Sequence, residues 1–206
     1  MSEHRPTSWD RAARFYDWQL PLERAALRAA LNLAAIGADE RLLDLATGTA
    51  AVLRLLVDRG PREAVGIDGS ARMLGAAPAL PRGWRLVHAE ATALPFPNGS
   101  FDVVTGAYLL HLLCPARRRA VLAEAARVLR PAGRLITVTV VTPHSGLLAP
   151  AFRGLARVSQ RRSGIMSGMR VLDPRADLID AGFVIRAVRR TTRGYPSLAV
   201  LAERRA

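Results

Sequence analysis

The stretch LLDLATGTAAVLRLL, residues 42–56, carries an apolar strand into a tight turn and on into a helix. That succession is the opening βα unit of a parallel sheet, in which the turn at the strand's carboxyl end faces a ligand. Such turns usually hold two or three glycines, so that the ligand can lie against bare backbone. Here only Gly48 is a glycine, with Ala46 and Ala50 two positions to either side. Ala50 is expected at the helix entrance with a right-handed φ, where its methyl costs space and not backbone strain. A ligand tail ending in a small carboxylate would tolerate that methyl better than tightly cradled phosphates would.

Working outward, the strands read as RLLDLA (41–46), AVGID (64–68), RLVHAE (85–90), FDVVTGAY (101–108), RLITVTVV (134–141), FVIRAVRR (183–190) and SLAVLAER (197–204). Helical stretches separate the first five: AAVLRLLVDR, SARMLGAA and ARRRAVLAEAARVLR. In the last of these Val121, Leu122, Ala125, Val128 and Leu129 recur at helical spacing, and Pro131 is expected to end it. DPRADLIDAGF starts a further helix with Asp173 as cap and Pro174 in its first turn, and Gly182 stops it. The last two strands are joined by TRGYP alone, too short for a parallel crossover, so they form an antiparallel hairpin. The pattern is α/β, and a dinucleotide-binding domain would instead continue with another βα unit.

A chain of 206 residues suits one domain, taken here as 1–206. No apolar run approaches the roughly 18 residues that span a bilayer, and the polar N-terminus is unlike a signal peptide, so a cytoplasmic protein is expected. Cys114 is the single cysteine, which excludes an internal disulfide and is expected to be a buried, inert thiol. The net charge of +13 would suggest nucleic acid if it were concentrated, but the arginines run through every segment. Nucleic-acid binding is therefore not the favoured reading.

Three acids close three neighbouring strands. Asp44 ends the first two residues before the turn, where it would repel a pyrophosphate and hold an ammonium group. Asp68 ends the second, about 20 residues after the turn glycine, where a carboxylate accepts both hydroxyl protons of a ribose. Glu90 closes the third, within reach of an exocyclic base amine. A ribose, an amine-bearing base and an ammonium tail without phosphate describe S-adenosylmethionine.

The same residues carry a family resemblance. LLDLATGTA, GIDGSARML, EATALPFPNGSFDVV and VLRPAGRLITV resemble, in order, four motifs of the class I S-adenosylmethionine-dependent methyltransferases, and WDRAARFYDW resembles the start of their quinone-biosynthesis subgroup. The resemblance implies a Rossmann-like seven-stranded sheet with helices on both faces and a C-terminal antiparallel hairpin. It implies that Asp44 and Gly48 serve the methionine end, Asp68 the ribose hydroxyls and Met73 the adenine face, with Ala46 and Gly69 also among the cofactor-binding residues. Glu90 with Ala91 would hold the adenine amine, the backbone at Ala107 would border the sulfonium, and Tyr16 would reach the methionine carboxylate. Ala46 for glycine occurs within the family; Ala50 is less usual, and Glu90 for aspartate adds one methylene.

Methyl transfer from a sulfonium is an in-line displacement, so the protein mainly aligns its partners, and a base is needed only if the acceptor loses a proton. His111 in AYLLHLL is the candidate base, or else a packed histidine ordering the cofactor loop; His144 is a second candidate. GAYL stands where methylases of nucleic-acid amines carry N/D-P-P-Y/F, and no acids follow the fourth strand to hold magnesium, so no metal is implied. Residues 1–35 and 143–172 are expected to cap the substrate side. GLLAPAFRGLARVSQRR could be a basic amphipathic lid over an apolar acceptor, a peripheral contact with anionic lipid, or an ordinary half-buried helix. The expected function is methyl transfer to a small, largely apolar acceptor at oxygen or carbon. RNA methylation and a non-catalytic binding domain are the alternatives.

Overall fold

The computed structural model describes residues 16–58, 60–142 and 171–205, with the backbone alone at Tyr16. A short 3-10 turn, Tyr16–Gln19, leads into α1 (Leu20–Ala34), and β1 (Arg41–Leu45), α2 (Ala51–Arg54), β2 (Glu63–Asp68), α3 (Ala71–Gly75) and β3 (Arg85–His88) follow. Then come β4 (Phe101–Ala107), α4 (Pro115–Val128), β5 (Leu129–Val140), α5 (Arg175–Asp180), β6 (Phe183–Thr191) and β7 (Ser197–Arg204). The seven strands form one sheet in the order β3-β2-β1-β4-β5-β7-β6. The first five are parallel, and β7 runs antiparallel to both β5 and β6, as the short TRGYP connection requires.

Neighbouring residues along each strand face opposite sides of the sheet, and each side has its own core. Leu43, Val65, Val104, Leu135 and Val200 pack with Val121, Leu122 and Ala125 of α4 and Leu178 of α5. Leu42, Ala64, Val103, Ile136 and Ala199 pack on the other side with Ala26, Leu27, Ala30 and Leu31 of α1 and with Val52 and Leu53 of α2. Helix α1 buries Ala26, Leu27, Ala30, Leu31 and Ala34, a single helical stripe. Arg134 of β5 holds its C-terminal end, donating to the Ala34 carbonyl at 2.7 Å and the Ala35 carbonyl at 3.0 Å while pairing with Glu40 at 2.6 Å. At the other end the Tyr195 amide donates to the Leu22 carbonyl at 3.1 Å, and the neighbouring Gly194 has φ +77.

Several local expectations need correcting. The first crossover helix is Ala51–Arg54 alone, because Leu55 and Leu56 turn back to carbonyls three residues earlier and tighten the last turn. Helix α4 stops at Val128, ahead of Pro131, since Leu129 is already extended and paired with Phe101. Pro174, not Asp173, occupies the cap position of α5, and the Asp173 carboxylate accepts from the Arg175 amide at 3.2 Å. Cys114 is exposed, not buried: it precedes α4 on extended backbone, where the Arg117 amide pulls its thiol pKa down.

Candidate active site

At the carboxyl ends of β1, β2, β3 and β4 lies a cleft of about 290 Å³. Its floor is the β1–α2 turn. The Thr47 amide donates to the Ile67 carbonyl at 2.8 Å and the Ala50 amide to the Thr47 carbonyl at 2.9 Å, folding the turn over β2. Gly66 makes room for it, since a Cβ there would stand 2.8 Å from the Thr47 side chain. Ala46, Gly48 and Ala50 take φ of 51°, 58° and 62°, so all three are left-handed. The expectation of a right-handed Ala50 is therefore wrong: closing the turn this tightly reverses the chain three times, and each alanine carries about 1–2 kcal/mol of backbone strain.

Ala46, Gly48, Asp68, Gly69, Met73, Glu90, Ala91 and Ala107 line this one cleft. Asp68 is its electrostatic centre. Its Oδ2 accepts from the Gly48 amide at 2.9 Å and its Oδ1 from the Ser70 amide at 2.8 Å, which lock the carboxylate between turn and helix. Each oxygen keeps a second lone pair, so hydroxyl donors can still be received. Burial nevertheless raises the Asp68 pKa, and the nearby Glu90 charge adds to it. Ser70 caps α3 by accepting from the Met73 amide at 3.2 Å, which places the buried Met73 against the cleft. Glu90 pairs with Arg117 of α4 at 2.8 Å across the mouth, and a Cβ on Gly69 would come within 3.0 Å of its Oε1.

Asp44 lies elsewhere. It is fully buried beneath the turn, where Thr47 Oγ1 donates to its Oδ2 at 2.6 Å and Thr105 Oγ1 to its Oδ1 at 2.5 Å. Desolvation lifts its pKa to about 6. The carboxylate expected to face the ligand thus faces two threonines, and its role here is to hold the turn that carries Gly48. His111 is 4% exposed behind the wall, with Tyr108 edge-on at 6.1 Å between ring centroids, and does not line the cleft. Burial lowers its pKa to about 4, so the ring is neutral and a weak base, and Nδ1 has no partner. The Tyr16 side chain, His144 and all of the expected 143–172 cap but its last two residues lie outside the described residues.

Four contributing residues were not foreseen. Asp17, next to Tyr16, accepts from Thr49 Oγ1 at 2.7 Å and pairs with Arg54 at 3.1 Å, tying the N-terminal segment to the turn. Its signal was the FYD triplet, read only for its tyrosine. Glu124 and Arg127 of α4 fasten the loop after Glu90: Glu124 accepts from the Leu94 amide at 2.6 Å, and Arg127 donates to the Leu94 and Phe96 carbonyls at 3.0 and 2.8 Å. In sequence they are an ordinary i,i+3 pair. Tyr108 lines the cleft beside Ala107 with φ 54°, a strained backbone for an aromatic residue.

The donor set fits S-adenosylmethionine. A locked carboxylate with free lone pairs, a glycine edge at Gly69, the apolar Met73 and no unpaired cation among the described lining residues favour a ribose and a planar base without phosphate.

The model of the methyltransferase domain family matches residues 42–133. The chain is 39% identical over 147 residues to the demethylmenaquinone methyltransferase of Thermus thermophilus, covering 68% of this chain and 66% of that protein. It is 37% identical over 164 residues to the enzyme of the same name from Mycobacterium tuberculosis, covering 74% and 67%. The alignments thus span about two thirds of these relatives' lengths. Among solved structures, a chain from the Haloferax volcanii complex of the Trm112 methyltransferase activator with a methyltransferase has a TM-score of 0.79 at 18% identity, covering 98% of this chain and 100% of that one. An S-adenosylmethionine-dependent methyltransferase of Mesorhizobium loti has a TM-score of 0.64 at 19% identity, covering 89% and 98%. At such identities the likeness is one of fold.

Proposed function

The chain belongs to the class I S-adenosylmethionine-dependent methyltransferases, and from that premise we propose that it methylates a ring carbon of a small, apolar, quinone-type acceptor in its reduced, hydroxyl-bearing form. The observation that carries this reading is the identity, over more than two thirds of the chain, to demethylmenaquinone methyltransferases. It is supported by the cleft's partition: acids and glycines line its β2 and β3 side, whereas Ala107, Leu109, Leu112 and Leu113 make the β4 side apolar.

The bound cofactor supplies an electrophilic methyl on a positively charged sulfur. Asp68 and the Gly48 turn fix the nucleoside end, and Met73 covers the base. Apolar side chains beside Ala107 exclude water from the methyl, which suits a displacement in which charge disappears. Exposed Leu22 in the first turn of α1 stands near the turn that bears Arg193, because its carbonyl receives the Tyr195 amide, and the exposed Trp18 precedes it in the 3-10 turn. An aromatic and an aliphatic side chain beside a cation suit the headgroup boundary of a membrane, so the acceptor is taken from a bilayer by peripheral contact. No helix among the described residues is long and apolar enough to cross a membrane.

The test incubates the protein with S-adenosylmethionine and 2-prenyl-1,4-naphthohydroquinone and follows the product by mass spectrometry. A product heavier by one methyl, carbon-linked by NMR, is expected. Binding of S-adenosylhomocysteine without any methylated product sinks the acceptor reading and leaves the family assignment standing.

A further inference from the structure

Glu23 is a buried acid that the cofactor cleft does not use. It stands in the first turn of α1 and is 4% exposed, and it has neither a hydrogen bond nor an ion pair with any other described residue. Its charge bears on Tyr108 and on Tyr195. Tyr108 lines the cleft beside Ala107, so Glu23 stands next to the residue that walls the methyl-transfer end.

The hydrogen bonds around it run one way. Ser197 Oγ donates to the Tyr195 carbonyl at 2.8 Å and lies 2.9 Å from the Tyr108 hydroxyl. A serine has a single proton, and here it is committed to the carbonyl, so the Tyr108 hydroxyl must donate to Ser197. The Tyr108 proton is therefore not available to satisfy Glu23. His111, edge-on to the Tyr108 ring, is neutral and brings no charge. A carboxyl this little exposed, with no donor or cation among the described residues, is the arrangement that makes a proton acceptor effective near neutral pH.

We propose that Glu23 accepts the proton released by the acceptor's ring hydroxyl during methyl transfer, entering beside Tyr108; this rests on the reduced-quinone reading above. The acceptor's O–H bond breaks and the proton passes to a Glu23 carboxylate oxygen. The freed electron pair conjugates into the ring, whose carbon forms the new bond to the methyl, while the pair of the broken carbon–sulfur bond stays on sulfur. As the product exchanges with solvent, the ring carbon loses its own proton to water, the ring oxygen takes its proton back from Glu23, and aromaticity returns. Desolvation holds the Glu23 pKa up at about 7, against an ordinary 4.5, which brings its basicity closer to that of a phenolic oxygen.

The experiment compares wild type with Glu23→Gln and Glu23→Asp, using S-adenosylmethionine and 2-prenyl-1,4-naphthohydroquinone. In wild type, kcat should rise with pH through an inflection near 7. Glu23→Gln should lower kcat by roughly 10²–10⁴-fold and abolish the inflection, with S-adenosylhomocysteine affinity unchanged. Glu23→Asp should restore part of kcat together with the inflection. Carboxyl carbon NMR of the ligand-free protein gives a readout independent of turnover: one glutamate resonance should titrate near pH 7 and vanish in Glu23→Gln. An active wild type whose Glu23→Gln variant keeps kcat and its pH profile, or glutamate resonances that all titrate below pH 5.5, overturns the role of Glu23 alone. A wild type that binds S-adenosylhomocysteine yet leaves the naphthohydroquinone unmethylated overturns the acceptor reading and this proposal with it.

Discussion

Asp44→Asn separates a carboxylate that holds the turn from one that holds a ligand. Burial pushes the Asp44 pKa from 3.8 to about 6. Between those values the folded chain keeps a proton that the unfolded chain has released, so stability fully present below about pH 4 is lost as pH rises through about 6. At ~1.4 kcal/mol for each tenfold change in proton affinity, the loss is about 3 kcal/mol once Asp44 is ionised. Asparagine keeps the shape and cannot ionise; it can accept from one threonine hydroxyl and donate to the other. Relative to Asp44→Asn, wild type should weaken by about 3 kcal/mol between pH 4 and pH 8, or roughly 6–12 °C in Tm for a chain of this size. Glu23 and His111 also titrate in this range, with pKa values near 7 and 4, but they do so in both proteins and cancel in the difference. Urea and thermal unfolding across pH measure it, and parallel profiles refute the reasoning. The same variant should bind S-adenosylhomocysteine as wild type does, because the carboxylate is turned toward Thr47 and Thr105.

Asp68→Ala should weaken S-adenosylhomocysteine by roughly 100-fold or more, since hydrogen bonds to a charged acceptor contribute ~1.5–3 kcal/mol each; calorimetry showing equal affinity rejects the ribose role. Ala46→Gly and Ala50→Gly relieve the same left-handed strain, but only Ala50 has a fully buried methyl to lose. The first should therefore come out more stable than the second by about 0.5 kcal/mol in chemical denaturation, from methyl burial worth ~0.8 kcal/mol. Arg127→Ala releases the carbonyls of Leu94 and Phe96, and faster amide exchange at residues 92–98 is expected, with a rise in KM for S-adenosylmethionine.

The architecture was legible because short apolar runs bounded by turns and alternating with amphipathic stretches mark the strands of a parallel sheet. Leu42 and Leu43 part to opposite cores, as strict alternation demands. The acids at strand ends located the cleft through Asp68 and Glu90, yet Asp44 shows why position along a strand does not settle orientation. One residue of pleat turns a side chain from the ligand to the sheet interior, and it is Thr47 in the turn together with Thr105, 61 residues away, that reveals which way it faces. Ala50 misled for a related reason: alanine favours right-handed backbone, and the turn's closure over Gly66 overrides that preference. Glu23 was invisible because an acid in a helix's first turn is ordinary, and its surroundings are supplied by Tyr108, just past β4, and by Tyr195 just before β7 and Ser197 at its start.

Gly194 is the place where this assembly has no slack. A Cβ there would fall 1.9 Å from the Leu22 carbonyl oxygen. Main chain therefore meets main chain directly, one residue before Glu23, and no side chain can be interposed. Any substitution at Gly194 would act as a wedge, prising the start of α1 off the hairpin and letting solvent reach the Glu23 carboxylate from behind.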